Sequence, residues 1–132
     1  MAGEPMNAHR ALVVDDDMVA LLVIRHMLES EGIEVTQAAN VGAARAQLAA
    51  TDFDLIIIDY LMPDETGLDL LPPVGGTPLI LLSGVIEHDD TSDPRLDEVT
   101  ARLTKPVSTD ELRSVVHALL ARPAERGSGS GR

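Results

Sequence analysis

The sequence predicts an α/β fold in which five parallel strands form one doubly wound sheet with helices on both faces. Three observations carry this expectation. Short aliphatic runs recur and stop abruptly at a polar residue: Leu12–Val14 at Asp15, Leu55–Ile58 at Asp59, Leu79–Leu82 at Ser83, and Leu103–Thr104 at Lys105. Runs of this length with no polar alternation read as strands buried on both faces. Segments with helical spacing separate them, and strand-helix alternation is the order that builds a parallel sheet. Helix caps and breakers fall between the segments where that order needs them.

The first strand is expected over Arg10 to Val14, after a disordered lead-in at residues 1–9. Asp17 can cap a helix whose apolar stripe is Met18, Leu21, Leu22, Ile24 and Leu28, with Gly32 as its stop. A shorter second strand runs from Ile33 to Ala38, and Asn40 can cap an Ala-rich helix to about Ala50 with Val41, Ala44 and Leu48 on one face. Asp54 to Ile58 is the third strand, followed by a loop from Tyr60 to Gly67 with Pro63 and Gly67 as turn residues. A third helix begins at Leu68 and is cut short by Pro72-Pro73 and Gly75-Gly76. Leu79 to Leu82 is the fourth strand, Glu87 to Val99 a short or frayed helix, and Ala101 to Thr104 the fifth strand. Ser108-Thr-Asp-Glu opens a last helix carrying Leu112, Val115, Val116, Leu119 and Leu120. Residues 10–121 thus form one domain, and residues 122–132, rich in Gly and Ser, form a flexible tail.

A chain of 132 residues with 45% hydrophobic residues can bury a core unaided. One Phe, one Tyr and no Trp make that core aliphatic. A net charge of −12 argues against nucleic acid or an anionic membrane as direct partner, since both are held through Lys and Arg. The absence of Cys excludes thiolate chemistry, no apolar leader precedes Arg10, and no run is long enough to span a bilayer. A cytoplasmic location is the expectation. His9, His26, His88 and His117 show no metal-ligand spacing and read as surface residues.

Strand order 2-1-3-4-5 would reverse chain direction between strands 1 and 3 and open a crevice at their carboxyl ends. Asp15 and Asp16 would then lie beside Asp59, with Ser83 and Lys105, the chain's sole lysine, across from them. Carboxylates packed this closely repel by about 1 to 4 kcal/mol per pair at 4 Å. A divalent cation relieves the repulsion, and hard oxygen donors with room for water favour Mg²⁺. With an ammonium and a hydroxyl alongside, such a site suits a phosphoryl group.

Four segments together, Leu-Val-Val-Asp15-Asp16, Leu-Ile-Ile-Ile-Asp59-Tyr-Leu-Met-Pro63-Asp-Glu-Thr-Gly67, Leu-Ile-Leu-Leu-Ser83-Gly84 and Leu-Thr-Lys105-Pro106, resemble the response-regulator receiver domains of bacterial two-component signalling, in particular the stand-alone, chemotaxis-regulator-like type. The resemblance covers roughly residues 10–121 and implies a flavodoxin-like fold. It implies that Asp59 accepts a phosphoryl group from a phosphohistidine, that Asp16 ligates Mg²⁺ directly and Asp15 mainly through water, and that the Leu61 carbonyl adds a ligand. It further implies that Lys105 pairs with the phosphoryl oxygens, that Ser83 hydrogen-bonds the new group with the Gly84 amide nearby, and that the Lys105–Pro106 bond is cis. The expected partner is a histidine kinase or a histidine phosphotransfer protein, with a monomer or weak dimer passing the signal by altered docking and catalysing only its own phosphorylation and dephosphorylation.

Two positions depart from the family pattern. Arg102 stands where the family carries an aromatic three residues before the lysine, and the segment from Asp59 to Ser83 is several residues short. In the family, the residues two beyond the acceptor and two beyond the hydroxyl influence the hydrolytic water; here they are Leu61 and Val85, both apolar, and the resemblance thus implies a long-lived phosphoryl group. Two other functions fit the same residues: a receiver-like adaptor that is never phosphorylated, and a haloacid-dehalogenase-type phosphatase with Asp15 as nucleophile, Asp17 as acid/base, and Ser83 and Lys105 in support.

Overall fold

The computed structural model describes residues 9–71, 76–84 and 93–121. The chain runs through β1 (Arg10–Val14), α1 (Met18–Ser30), β2 (Glu34–Ala38), α2 (Val41–Ala50), β3 (Leu55–Asp59), β4 (Leu61–Met62), β5 (Glu65–Thr66), a 3-10 turn at Gly67–Leu70, β6 (Leu79–Ser83), a second 3-10 turn at Pro94–Glu98, β7 (Ala101–Thr104) and α3 (Thr109–Leu120). Five of the strands form one parallel sheet in the order β2-β1-β3-β6-β7. Counting only the strands of this sheet, that is the expected order 2-1-3-4-5.

Alternation along the buried strands divides the core into two layers. Val13, Ile57, Ile80 and Leu82 point to one face, where Leu21, Ile24 and Leu28 of α1 meet Leu112 and Val116 of α3. Leu12, Ile56, Ile58 and Leu81 point to the other, under Val41 and Ala44 of α2, Phe53, and Leu68 and Leu70 of the first 3-10 turn. Each fully buried Leu or Ile stabilises the fold by about 1.5–3 kcal/mol, so these layers dominate its stability. Asp17 accepts from the Val19 amide at 2.9 Å to start α1, Asn40 accepts from the Ala43 amide at 2.7 Å to start α2, and the Ser108 hydroxyl accepts from the Asp110 and Glu111 amides to start α3.

Several local expectations are corrected. The α1 stripe is Leu21, Ile24, Met27 and Leu28. Met18 and Leu22 face solvent, Met18 at 72% exposure, together with Val19 and Val23. A stripe chosen from hydrophobicity alone cannot tell which of two apolar helix faces meets the sheet. The third strand extends through Asp59 and excludes Asp54, whose carboxylate instead accepts from the Arg10 amide at 2.9 Å.

The segment between Tyr60 and Gly67 holds the hairpin β4–β5. Pro63 followed by Asp64 at φ 65 makes the reversal, proline fixing the first turn position and aspartate tolerating the second. The shortened third helix is a single 3-10 turn. Of the acidic segment Glu87 to Val99, the second 3-10 turn, capped by Asp93, is described. Residues 1–8, the pairs Pro72-Pro73 and Val74-Gly75, Val85, His88 and the tail 122–132 lie outside the described residues.

Candidate functional site

The carboxyl ends of β1, β3, β6 and β7 bring the predicted residues to one edge of the sheet. Past β1, the Asp15 amide still donates to the Ala38 carbonyl at 3.1 Å, which keeps Asp15 in line with the strand and buries it at 1% exposure. Asp15 Oδ1 accepts from the Asp17 amide at 2.9 Å, so the chain turns outward there and Asp16 stays exposed. The three consecutive aspartates thus divide into a buried member, an exposed member and a helix cap.

Asp59 ends β3 opposite Leu82 and is 5% exposed. The Tyr60 amide donates to the Leu82 carbonyl at 2.7 Å, fixing the main chain just beyond it. Ser83 ends β6 and is buried, and its carbonyl accepts from the Lys105 amide at 2.7 Å. That bond fixes Lys105 at the end of β7. The Lys105–Pro106 bond is cis.

Lys105 Nζ lies 2.7 Å from Asp59 Oδ1 and 3.8 Å from Asp15 Oδ2. Asp15, Asp16 and Asp59 each offer one carboxylate oxygen, and these three atoms lie within 4.8 Å of one another. Asp15 Oδ2 is buried and makes no hydrogen bond. A buried carboxylate oxygen without a donor is costly unless something positive occupies the space beside it. A cluster of carboxylate oxygens suits a hard dication, so the donor chemistry fits Mg²⁺.

Burial is the largest influence on both buried carboxyls and raises them above the ordinary range. For Asp15 the Asp17 amide opposes this, while the charge of Asp59 adds to it. For Asp59 the hydrogen bond and charge of Lys105 oppose it, while the charge of Asp16 adds to it. Burial lowers the Lys105 ammonium, but its hydrogen bond to Asp59 and the charges of Asp59, Asp15 and Asp17 outweigh that and leave it raised.

Asp15 and Asp59 therefore bind protons more readily folded than unfolded. Their contribution to stability is fully present below the unfolded carboxyl value of about 4 and is lost as pH rises through their raised values. In metal-free protein, Asp15→Asn should melt above the unaltered chain at neutral pH, with the gap closing as pH falls. Added Mg²⁺ should raise the unaltered chain more than the variant. Thermal melts with and without Mg²⁺ check this, and equal melting at neutral pH would count against it.

The remaining predicted residues surround this group in different ways. Leu61 opens β4 directly after Tyr60 and is 58% exposed. Gly84 follows Ser83 half-buried, and Pro106 follows Lys105. Arg102 lies within β7 opposite Leu81, away from the carboxylates in sequence and held by its own interactions.

Gly67 is the residue whose importance the sequence understated. It reads there as one more turn glycine, yet a Cβ at this position would stand 2.5 Å from the Asp59 carbonyl oxygen and 3.1 Å from Ile58 and Leu81 side-chain atoms. Only a residue without a side chain lets the main chain pass this close to the end of β3.

The response regulator receiver domain model matches residues 11–117. The cell cycle transcriptional regulator CtrA of Caulobacter vibrioides is 32% identical over 118 residues, an overlap of 86% of this chain and 51% of CtrA. The chain thus spans about half the length of that relative. The receiver domain of the Francisella response regulator 1452 is 33% identical with a TM-score of 0.75, covering 86% of this chain and 98% of that one. The response regulator TrrA of Thermotoga maritima, solved in complex with Mg²⁺-BeF, is 28% identical with a TM-score of 0.74, covering 84% of this chain and 98% of that one. With the sheet order, the carboxylate cluster and the Lys105 contact in agreement, this chain belongs to the response regulator receiver domain family.

Proposed function

We propose that Asp59 is the phosphoryl acceptor of a two-component relay. The observation that carries this is the pairing of a buried Asp59 carboxylate with Lys105 at 2.7 Å, beside the Asp15 and Asp16 oxygens. A carboxylate oxygen of Asp59 attacks the phosphorus of a phosphohistidine, the N–P bond breaks, and the imidazole leaves with the electron pair. The product is an acyl phosphate of about −1.5 to −2 charge. Receiver domains bind Mg²⁺ at an acidic site. Here Asp15, Asp16 and the Leu61 carbonyl would hold it with Asp59, and when bound it supplies positive charge to the transferring phosphoryl oxygens.

The chain's own groups do the rest. Lys105 shifts from the free carboxylate to the phosphoryl oxygens, the Ser83 hydroxyl donates to the new group, and the Gly84 amide lies next to it. The domain occupies residues 10–121, and the donor is a histidine kinase or a histidine phosphotransfer protein in the cytoplasm. Receiver domains are signalling domains rather than turnover enzymes, and the signal leaves through altered protein docking. Arg102 carries no ring, so the loops after β6 and β7 convey the change. A phosphatase built on Asp15 would leave Asp59 without a task. Among the described residues no helix is long and apolar enough to cross a membrane.

Incubation with acetyl phosphate and Mg²⁺ tests the reading: intact-mass spectrometry should show one added phosphoryl group, lost on omitting Mg²⁺. An unchanged mass would refute it. The lifetime of the group gives a second expectation. Leu61 presents an exposed apolar side chain beside the acceptor, with nothing to orient water. Decay of the phosphorylated chain should be slow and Leu61→Asn should hasten it, as followed by loss of the adduct with time; rapid decay in the unaltered chain contradicts this.

A further inference from the structure

The hairpin β4–β5 carries Leu61 next to Asp59 and pairs only two residues per strand, Leu61 with Thr66 and Met62 with Glu65. A hairpin this small has too few contacts to hold its own shape in water. Its base is closed by the Gly67 amide, which donates to the Tyr60 carbonyl at 2.7 Å, and Met62 is buried in the layer under α2. A further anchor is polar. Glu65 Oε2 accepts from the Val41 amide, the first of α2, at 2.8 Å.

The first turn of α2 contains no acidic residue of its own, and Asn40 is committed to the Ala43 amide. Glu65 therefore brings to this helix start the negative charge that its aligned amides favour. A second tie runs in parallel: Arg45 of α2 donates to the Asp69 carbonyl, and Asp69 Oδ2 accepts from the Thr66 amide at 3.0 Å. Together they fasten the strand of the hairpin opposite Leu61 to α2.

We infer that Glu65 is a positioning residue for the metal ligand on this hairpin, holding the Leu61 carbonyl at the site through its bond to Val41. The inference rests on the reading that Asp15, Asp16, Asp59 and the Leu61 carbonyl bind Mg²⁺. Glu65 touches neither metal nor phosphoryl group; it acts by fixing the short segment that reaches them.

Calorimetric titration with Mg²⁺ alone, on the whole chain, tests the inference, paired with melting curves in a chelator. Glu65→Ala should bind Mg²⁺ about tenfold more weakly, the scale seen when a partner of a metal ligand is removed. Glu65→Gln keeps a side-chain oxygen for the Val41 amide and should bind as the unaltered chain does. If Glu65→Ala does not fold, Glu65→Asp, a methylene short of Val41, takes its place with the same expectation. A purely structural role predicts lower metal-free melting with unchanged Mg²⁺ affinity in the folded protein, and that result would overturn the inference. Equal weakening in the Ala and Gln variants would overturn it too, because net charge rather than the bond to Val41 would then be responsible. Failure of the unaltered chain to bind Mg²⁺ would instead overturn the underlying reading of the site.

Discussion

Asp59→Asn should fold and yet take up no phosphoryl group from acetyl phosphate. Asparagine is close to isosteric with aspartate, but its amide is a far poorer nucleophile, so the expected loss is the whole reaction. The variant should be no less stable than the unaltered chain in the absence of Mg²⁺. The buried carboxylate it removes is destabilised by burial, and the Lys105 ammonium keeps Asp15 Oδ2 at 3.8 Å as a counter-charge. Intact-mass spectrometry reads the first expectation and thermal melting the second. A phosphorylated Asp59→Asn chain, with the group mapped to Asp15 or elsewhere, would mean that the acceptor has been misassigned.

Gly67→Ala should destabilise the domain markedly. The added Cβ meets the Asp59 carbonyl oxygen at 2.5 Å, and that atom is main chain at the end of the central strand. Relief requires either β3 to move, against pairing with both β1 and β6, or the 3-10 turn to lift Leu68 and Leu70 from the core. Overpacking of this kind costs about 1–3 kcal/mol, and partial exposure of either leucine adds to it. Urea denaturation should show a loss of at least about 2 kcal/mol, together with reduced phosphorylation of the fraction that stays folded. A variant within the error of the unaltered chain would show that the turn has room that the Gly67 geometry denies.

The sheet was legible because its strands are unusually plain. Leu55–Ile58 and Leu79–Leu82 contain nothing but large aliphatics, and each stops at the residue that the site uses. Asp15, Asp59, Ser83 and Lys105 were found for the same reason: a strand end is a position that sequence marks directly. What lay beyond reach depends on partners distant in the chain. Met18 and Leu22 are as apolar as Leu21 and Ile24, and only the placement of the sheet separates them.

The hairpin β4–β5 has no alternating pattern long enough to detect, being fixed by Asp64 at positive φ and by the Tyr60–Gly67 bond. Glu65 bonds a residue 24 positions earlier, and Arg113 and His117 of α3 share Glu31 at the end of α1 across more than 80 positions. Nothing local announces such pairs. His117 is exposed, as the sequence indicates, and the added finding is its bond to Glu31 across the two helices.

Each working atom at the sheet edge hangs from a strand end that is stitched laterally to its neighbour: Tyr60 to Leu82, Lys105 to Ser83, Asp15 to Ala38. Among the described residues, the spans behind the sheet are joined to it at the opposite edge instead, Glu34 to His9, Asp54 to Arg10 and Thr100 to Leu79. Changes in their length at that far edge act on the atoms in front only through the strands. Genetic insertion or deletion in those spans would reshape the flanks that other molecules meet while leaving the reactive edge intact, so one chemistry can be offered to many different audiences.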